Sequence, residues 1–175
     1  DLPQFMATGL MIRQQTEITK IAHHGGHIGF FDKDDLVATG RQAIITAPAA
    51  QTGKLLADIY PELAATAGPV SYDPCWTIML GLEDDHGLGT APLRDEAAGI
   101  ALAVPEMTRS KQQSGAVAPA LTIQATGAWS QQHLQDGPQM VIESLCQIWQ
   151  NLTGKPLGNI STAAAHRWLY AKVTT

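Results

Sequence analysis

Alternation of apolar and polar positions is the first signal along this chain. In Thr16–Ala22 (TEITKIA), Ile18 falls on one face with Lys20, and Thr19 and Ile21 fall on the other, the period of two that a strand imposes. His27–Phe31 is a second apolar run beyond His23–Gly26. The Gly25–Gly26 pair between them accepts positive φ without steric cost, so the pattern predicts a β-hairpin. After the polar turn Asp32–Asp35, the unbroken apolar run Gln42–Ala47 (QAIITA) predicts a strand covered on both faces. Pro48 ends it and suits a first helical turn, and Thr52, Leu55, Leu56 and Ile59 continue at helical spacing through Lys54–Ile59.

Tyr60–Pro74 is a mixed stretch of Pro, Gly and Ala, after which Cys75–Leu82 (CWTIMLGL) reads as a buried strand ending at the acidic turn Glu83–Asp85. Gly99–Val104 and Ala120–Ala125 (ALTIQA) are two further strands, joined by a loop over Pro105–Ala118. Successive strands with no helix between them predict an antiparallel meander. Helical spacing returns in Gln139–Leu152, where Val141, Leu145, Ile148 or Trp149, and Leu152 share a stripe. Asp136 or Gly137 can cap that helix, Pro138 suits its first turn, and Gly154 follows its end. A last strand, Ala163–Lys172, carries HRWLYAK. There is no internal repeat and no heptad run, so one domain with an attached hairpin is the economical layout.

Composition narrows the class. The 175 residues suit one compact domain and no more than two, and 45% hydrophobic content excludes a disordered chain. Apolar runs around Ala43–Ala50 and Trp76–Leu82 are interrupted well before the roughly 18 residues of a membrane span, so a soluble, cytoplasmic protein is expected. A net charge of −5 without a basic cluster leaves nothing to neutralise a phosphate backbone, so nucleic acid is not an expected partner. Cys75 and Cys146 lie in apolar segments without CxxC spacing and read as buried reduced thiols. The chain opens on Asp1, and Asp1–Gly9 lacks the regions of a signal peptide, as expected for a piece of something longer.

Candidate chemistry is sparse. His23, His24 and His27 (HHGGH) suggest a metal, because imidazoles are common ligands. Neighbouring residues of a strand point to opposite faces, however, and no Cys or carboxylate follows until Asp32. A solvated turn explains them, and no metal site is expected. Ser110, Ser130 and Ser144 lack an activating signature such as GxSxG, and Cys146 lies on a helical stripe. The Asp34–Asp35 and Asp84–Asp85 pairs read as turn chemistry. Gly81, Gly87 and Gly89 form neither GxGxxG nor a P-loop. No catalytic residue is assigned. His166-Arg167-Trp168-Leu169-Tyr170 is the most unusual stretch: in a strand, His166, Trp168 and Tyr170 share one face, an aromatic and polar wall suited to a planar ligand. A core Trp with an Arg stacked outside is the competing reading.

AHRWLYA at Ala165–Ala171 resembles the AHRWRYA signature of renalase-like proteins, a branch of the FAD-dependent amine oxidase superfamily. Five more blocks agree in order. TEITKI at Thr16–Ile21 resembles a strand carrying V-x-x-I, AIITAPAAQTGKLL at Ala43–Leu56 resembles D-x-V-V-L-A-x-P-A-P-Q-x-x-x-L-L, and PCWTIML at Pro74–Leu80 resembles P-x-W-x-L-M-L. Ser110–Lys111 sits where the family has S-K-P-G-R, and ATGAWSQQHL at Ala125–Leu134 resembles H-A-S-P-x-W-S-x-x-H-L. Gln112, Gln124 and Leu169 depart from the family's proline, histidine and second arginine; these changes leave the fold expectation intact and bear on the substrate pocket.

The resemblance implies an α+β fold: a mixed, largely antiparallel β-sheet flanked by helices, as in amine-oxidase substrate domains, with a β-hairpin from the FAD domain. It implies a division into residues 1–60, on the FAD-domain side, and residues 61–175, the substrate-binding domain. The whole protein would be an FAD-dependent oxidoreductase taking hydride from a small reduced substrate, a dihydronicotinamide or an amine. Ile18, Thr46, Ala47, Pro48 and Trp168 would contact the cofactor, and His166, Arg167 and Tyr170 the substrate. The N-terminal FAD-binding segment with its GxGxxG, and a closing G-D segment, are expected elsewhere, so this chain is not expected to retain FAD. Its docking surface would be bare and apolar, or covered in a homodimer. A non-catalytic ligand- or protein-binding module of the same fold, and a His-cluster metalloprotein, are the rival readings.

Overall fold

The computed structural model describes residues 2–84, 89, 91–106 and 119–174. The chain divides into two compact units, residues 1–70 and residues 71–175.

In the first unit, helix α1 (Leu2–Met6) precedes a three-stranded antiparallel sheet of β1 (Lys20–His24), β2 (His27–Asp32) and β3 (Asp35–Gly40), in the order β1-β2-β3. The expected hairpin is present. His24 and His27 are register partners, and Gly25 and Gly26 bridge them at φ 56° and 79°, the two successive positive values of the turn that matches strand twist. The pairing begins at Lys20, four residues later than the alternation of Thr16–Ala22 suggests. Asp32 and Asp35 also face each other, so the polar turn closes a second hairpin. There the Lys33 N–H donates to Thr19 Oγ1 at 2.6 Å.

The strand expected over Gln42–Ala47 is not formed. That segment carries no regular secondary structure and pairs with no strand among the described residues, and Ile44 is 92% exposed. An apolar run becomes a ladder only beside a neighbour, and β2 pairs instead with β3, which the sequence reading missed. Helix α2 (Ala49–Leu56) starts at Pro48 as expected, and α3 (Pro61–Ala67), with Pro61 in its first turn, packs on it inside a stretch read as irregular.

The second unit is a five-stranded antiparallel sheet of β4 (Tyr72–Leu82), β5 (Leu93–Asp95), β6 (Ile100–Pro105), β7 (Ala120–Ala125) and β8 (Ile160–Val173), in the order β5-β6-β7-β4-β8. Antiparallel pairing holds throughout, but the expected meander does not. β7 inserts between β6 and β4, because the longest strands, β4 and β8, pair along most of their length and leave β4 one further edge, which β7 takes. Pro105 closes β6, and residues 107–118 of the expected loop, with the Ser110–Lys111 block and Gln112, lie outside the described residues, as do Asp85 and Gly87.

Helices α4 (Gly127–Gln132) and α5 (Pro138–Thr153) follow β7. The α5 end signals read from sequence hold, Gly137 capping it, Pro138 opening it and Gly154 ending it in the left-handed conformation, whereas Leu152 of the expected stripe is exposed. Its stripe of Val141, Leu145 and Trp149 packs with Trp76, Ile78, Leu80, Ile100, Leu121 and Ile123 into the core. Among the described residues no helix is long and apolar enough to cross a membrane.

Candidate functional site

Period-two alternation sorts the second sheet into a covered and an open face. Trp76, Ile78, Leu80 and Leu82 of β4 are buried in the core with α5, whereas Met79, on the other face, is 46% exposed. From the sequence, Cys75–Leu82 reads as a buried strand. Yet Cys75, Thr77 and Met79 alternate with the large apolar residues, and that alternation was the available signal of an open face.

On the open face, β8 presents His166, Trp168 and Tyr170, all exposed. The His166 and Trp168 rings meet edge to face with centroids 4.3 Å apart, and Tyr170 meets Tyr72 in the same manner at 5.4 Å. Trp168, 54% exposed, is the register partner of Cys75, and His166 that of Thr77. Trp168 and Tyr170 wall a cavity of about 570 Å³ that Cys75, Gln124, Glu96 and Lys172 also line. Gly127 closes part of it: a Cβ there would meet Asp73 at 2.7 Å. Sequence reasoning places none of Tyr72, Cys75, Glu96 and Lys172 at the aromatic wall: pairing of β4 with β8 brings Tyr72 and Cys75 there, Lys172 follows Tyr170 along β8, and Glu96 lies just after β5.

Arg167 points to the other face. Its guanidinium donates to the Leu134 carbonyl and lies 5.7 Å from the Trp76 ring centroid. Trp76 is held at both ends: its backbone N–H donates to the buried Ser130 hydroxyl at 2.9 Å, and its Nε1–H donates to the His133 carbonyl at 3.0 Å. The His133 ring stacks on Trp129, centroids 3.9 Å apart, and its Nδ1 lies 2.7 Å from Asp136. The α4 turn is thereby pinned to β4, with Arg167 as a fastening from the edge strand.

Both cysteines are half-buried free thiols, less enclosed than their apolar segments suggest. Burial pushes the Cys75 thiol up, against smaller opposing pulls from the Thr77 hydroxyl and the Ala125 carbonyl region. Burial alone pushes Cys146 up to about 11. Neither is therefore a ready thiolate nucleophile near neutral pH.

In the first unit, Ile18 is half-buried just before β1, Thr46 is exposed, and Ala47 and Pro48 are half-buried at the entry to α2. The Thr52 hydroxyl donates to the Ala47 carbonyl at 2.9 Å and fixes that turn. A separate apolar cavity of about 410 Å³, lined by Ile21, Ile28, Ile45, Leu56, Tyr60 and Leu63, includes none of these four. His24 and His27 flank the hairpin turn, while His23 meets the Tyr60 ring edge at 6.0 Å. Among the described residues no three His, Cys, Asp or Glu side chains converge as a metal site needs.

No family model matches the chain, but solved structures do. A proposed protoporphyrinogen oxidase from Exiguobacterium sp. 255-15 aligns over 99% of this chain with a TM-score of 0.74 and 15% identity. Cyclohexylamine oxidase from Brevibacterium oxydans aligns over 87%, with a TM-score of 0.63 and 10% identity. The fold of this chain is the one seen in part of these two oxidases. An oxidoreductase from Methanosarcina mazei agrees over 90% of the chain, with a TM-score of 0.59 and 14% identity. This chain spans only 39%, 34% and 39% of the three proteins, respectively. The expected α+β class, a largely antiparallel sheet flanked by helices with a hairpin, is the class found, and the structure divides its strands between two antiparallel sheets.

Proposed function

We propose that this chain is the substrate-domain portion of a longer FAD-dependent oxidoreductase of the amine-oxidase type, in its renalase-like branch, which oxidises a small reduced substrate by hydride transfer to flavin. One observation carries the reading: the sheet of the second unit leaves one face open, and there Trp168 and Tyr170 wall a cavity of about 570 Å³. The likeness of fold supports the oxidoreductase class, and the six ordered sequence blocks support the branch.

The flavin, when bound, is the hydride acceptor, and the protein's part is orientation and electrostatics. The residues present fit a planar group: Trp168 offers a half-exposed π-face, and its register partner Cys75 offers a small neutral floor. His166, edge-on to Trp168, holds the indole plane. Tyr170 extends the wall, and Arg167 fixes β8 from behind through Leu134. Ile18, Thr46, Ala47 and Pro48 are the cofactor contacts proposed for the first unit. A dihydronicotinamide is preferred over an amine as substrate, and the cytoplasm is the proposed location. The proposed partners are the small substrate and the N-terminal FAD-binding segment, with a homodimer as the other way of covering apolar surface.

Replacing Trp168 by Ala in the flavin-loaded protein is expected to lower turnover about tenfold or more, roughly 1.4 kcal/mol of barrier, and to shift the flavin absorption. A variant with both unchanged would remove Trp168 from the site.

A further inference from the structure

Gln124 occupies an unusual place on the open face. It lies on β7, in the interior of the five-stranded sheet, opposite Thr77 of β4 on one side and Leu102 of β6 on the other. It is exposed, it lines the cavity walled by Trp168, and among the described residues its carboxamide makes no hydrogen bond.

Two uncharged polar groups beside it, on Thr126 and Thr77, are already engaged. The Thr126 hydroxyl accepts the Trp129 N–H and caps α4. The Thr77 hydroxyl lies 3.7 Å from the Cys75 thiol, which also points to the Ala125 carbonyl at 3.5 Å. The floor at Cys75 is therefore small and its hydroxyl neighbours are engaged, while Asp73, Glu96 and Lys172 line the same cavity and one amide adds an uncharged donor and acceptor.

Register fixes how far that amide stands from the aromatic wall. Gln124 is opposite Thr77, and Trp168 is opposite Cys75 on the far side of the same strand. Two strand spacings across and two residues along place their Cα atoms about 12 Å apart. One substituted ring lying over Cys75 fills that span once both side chains reach inward.

We propose that Gln124 is a specificity-determining residue of this face: it reads the neutral polar edge of a planar ligand that stacks on Trp168. The inference rests on the reading of the face as a site for a planar ligand and adds what the site selects. A carboxamide pairs with an amide-like edge, one acceptor and one donor, in preference to an ammonium group or a hydrocarbon, because both of its own atoms are then satisfied.

The test uses the 175-residue chain labelled for indole N–H resonances, with the Trp168 signal assigned through Trp168→Phe. Benzamide and benzylamine serve as probes of equal ring size. Benzamide is expected to move the Trp168 signal and to bind about tenfold more tightly than benzylamine. Gln124→Leu should abolish that preference, and Gln124→Glu, which replaces the donor by a charge, should turn it toward benzylamine. Unchanged signals from Trp76, Trp129 and Trp149 report that each variant is folded. Benzamide that moves Trp168 equally in the parent chain and in Gln124→Leu overturns the role of Gln124 while leaving the face a ligand site. Probes that leave the Trp168 signal untouched in the parent chain overturn both.

Discussion

Trp168 and Cys75 face each other across the β4–β8 ladder, a large half-exposed indole against a small half-buried thiol. That contrast of size makes the step from wall to floor in the cavity of the second unit. It predicts that filling the floor acts like removing the wall. Cys75→Phe should leave the fold intact, since its side chain lies on the open face, and should weaken any ligand that stacks on Trp168 by about tenfold or more. Titration of the Trp168 indole signal checks this; unchanged affinity would place the ligand elsewhere.

Neighbours on β8 should separate cleanly. Arg167→Ala removes a charge-assisted bond to the Leu134 carbonyl and a cation over Trp76, and is expected to cost about 1.5 kcal/mol in urea unfolding. His166→Ala, on the exposed face, should cost under about 0.5 kcal/mol. Equal losses would contradict the two-faced description of β8.

The sheet's covered face gives a second contrast, on α5. Leu145 is fully buried in the core, while Met140 of the same helix is 56% exposed. Leu145→Ala should destabilise by about 2 to 5 kcal/mol and Met140→Ala by about 0.5 kcal/mol or less, measured by chemical denaturation.

Alkaline pH should weaken the fold through Cys146. Its thiol is raised from 9.0 to about 11 by burial, so between those values the unfolded chain has lost a proton that the folded chain keeps. Stability is then fully present below pH 9 and falls as pH rises toward 11. Cys146→Ala should flatten that decline in melting temperature; an equally steep decline in the variant would assign it to other groups.

Much of this fold was legible because its local signals agree with one another. The hairpin is written in Gly25–Gly26, whose positive φ values few other residues accept. Helix α5 is written in its stripe and in the caps Gly137, Pro138 and Gly154. What escaped the sequence depends on neighbours. Gln42–Ala47 has the residues of a buried strand, but only a pairing partner makes it one. Strand order likewise follows from which long edges meet, and no local pattern in Cys75–Leu82 records that β7 rather than β6 lies beside it. The aromatic wall was visible in the alternation of His166, Trp168 and Tyr170. Its floor and its acidic rim were not, since Cys75 comes to it by register from β4 and Glu96 from the turn after β5.

The proposal that this chain is part of a longer flavoenzyme is decided by visible absorption of that proposed longer protein beside the 175-residue chain. A yellow longer protein with bands near about 375 and 450 nm, the signature of bound flavin, and a colourless chain are the expected results. A longer protein that remains colourless after purification with added FAD would contradict the account.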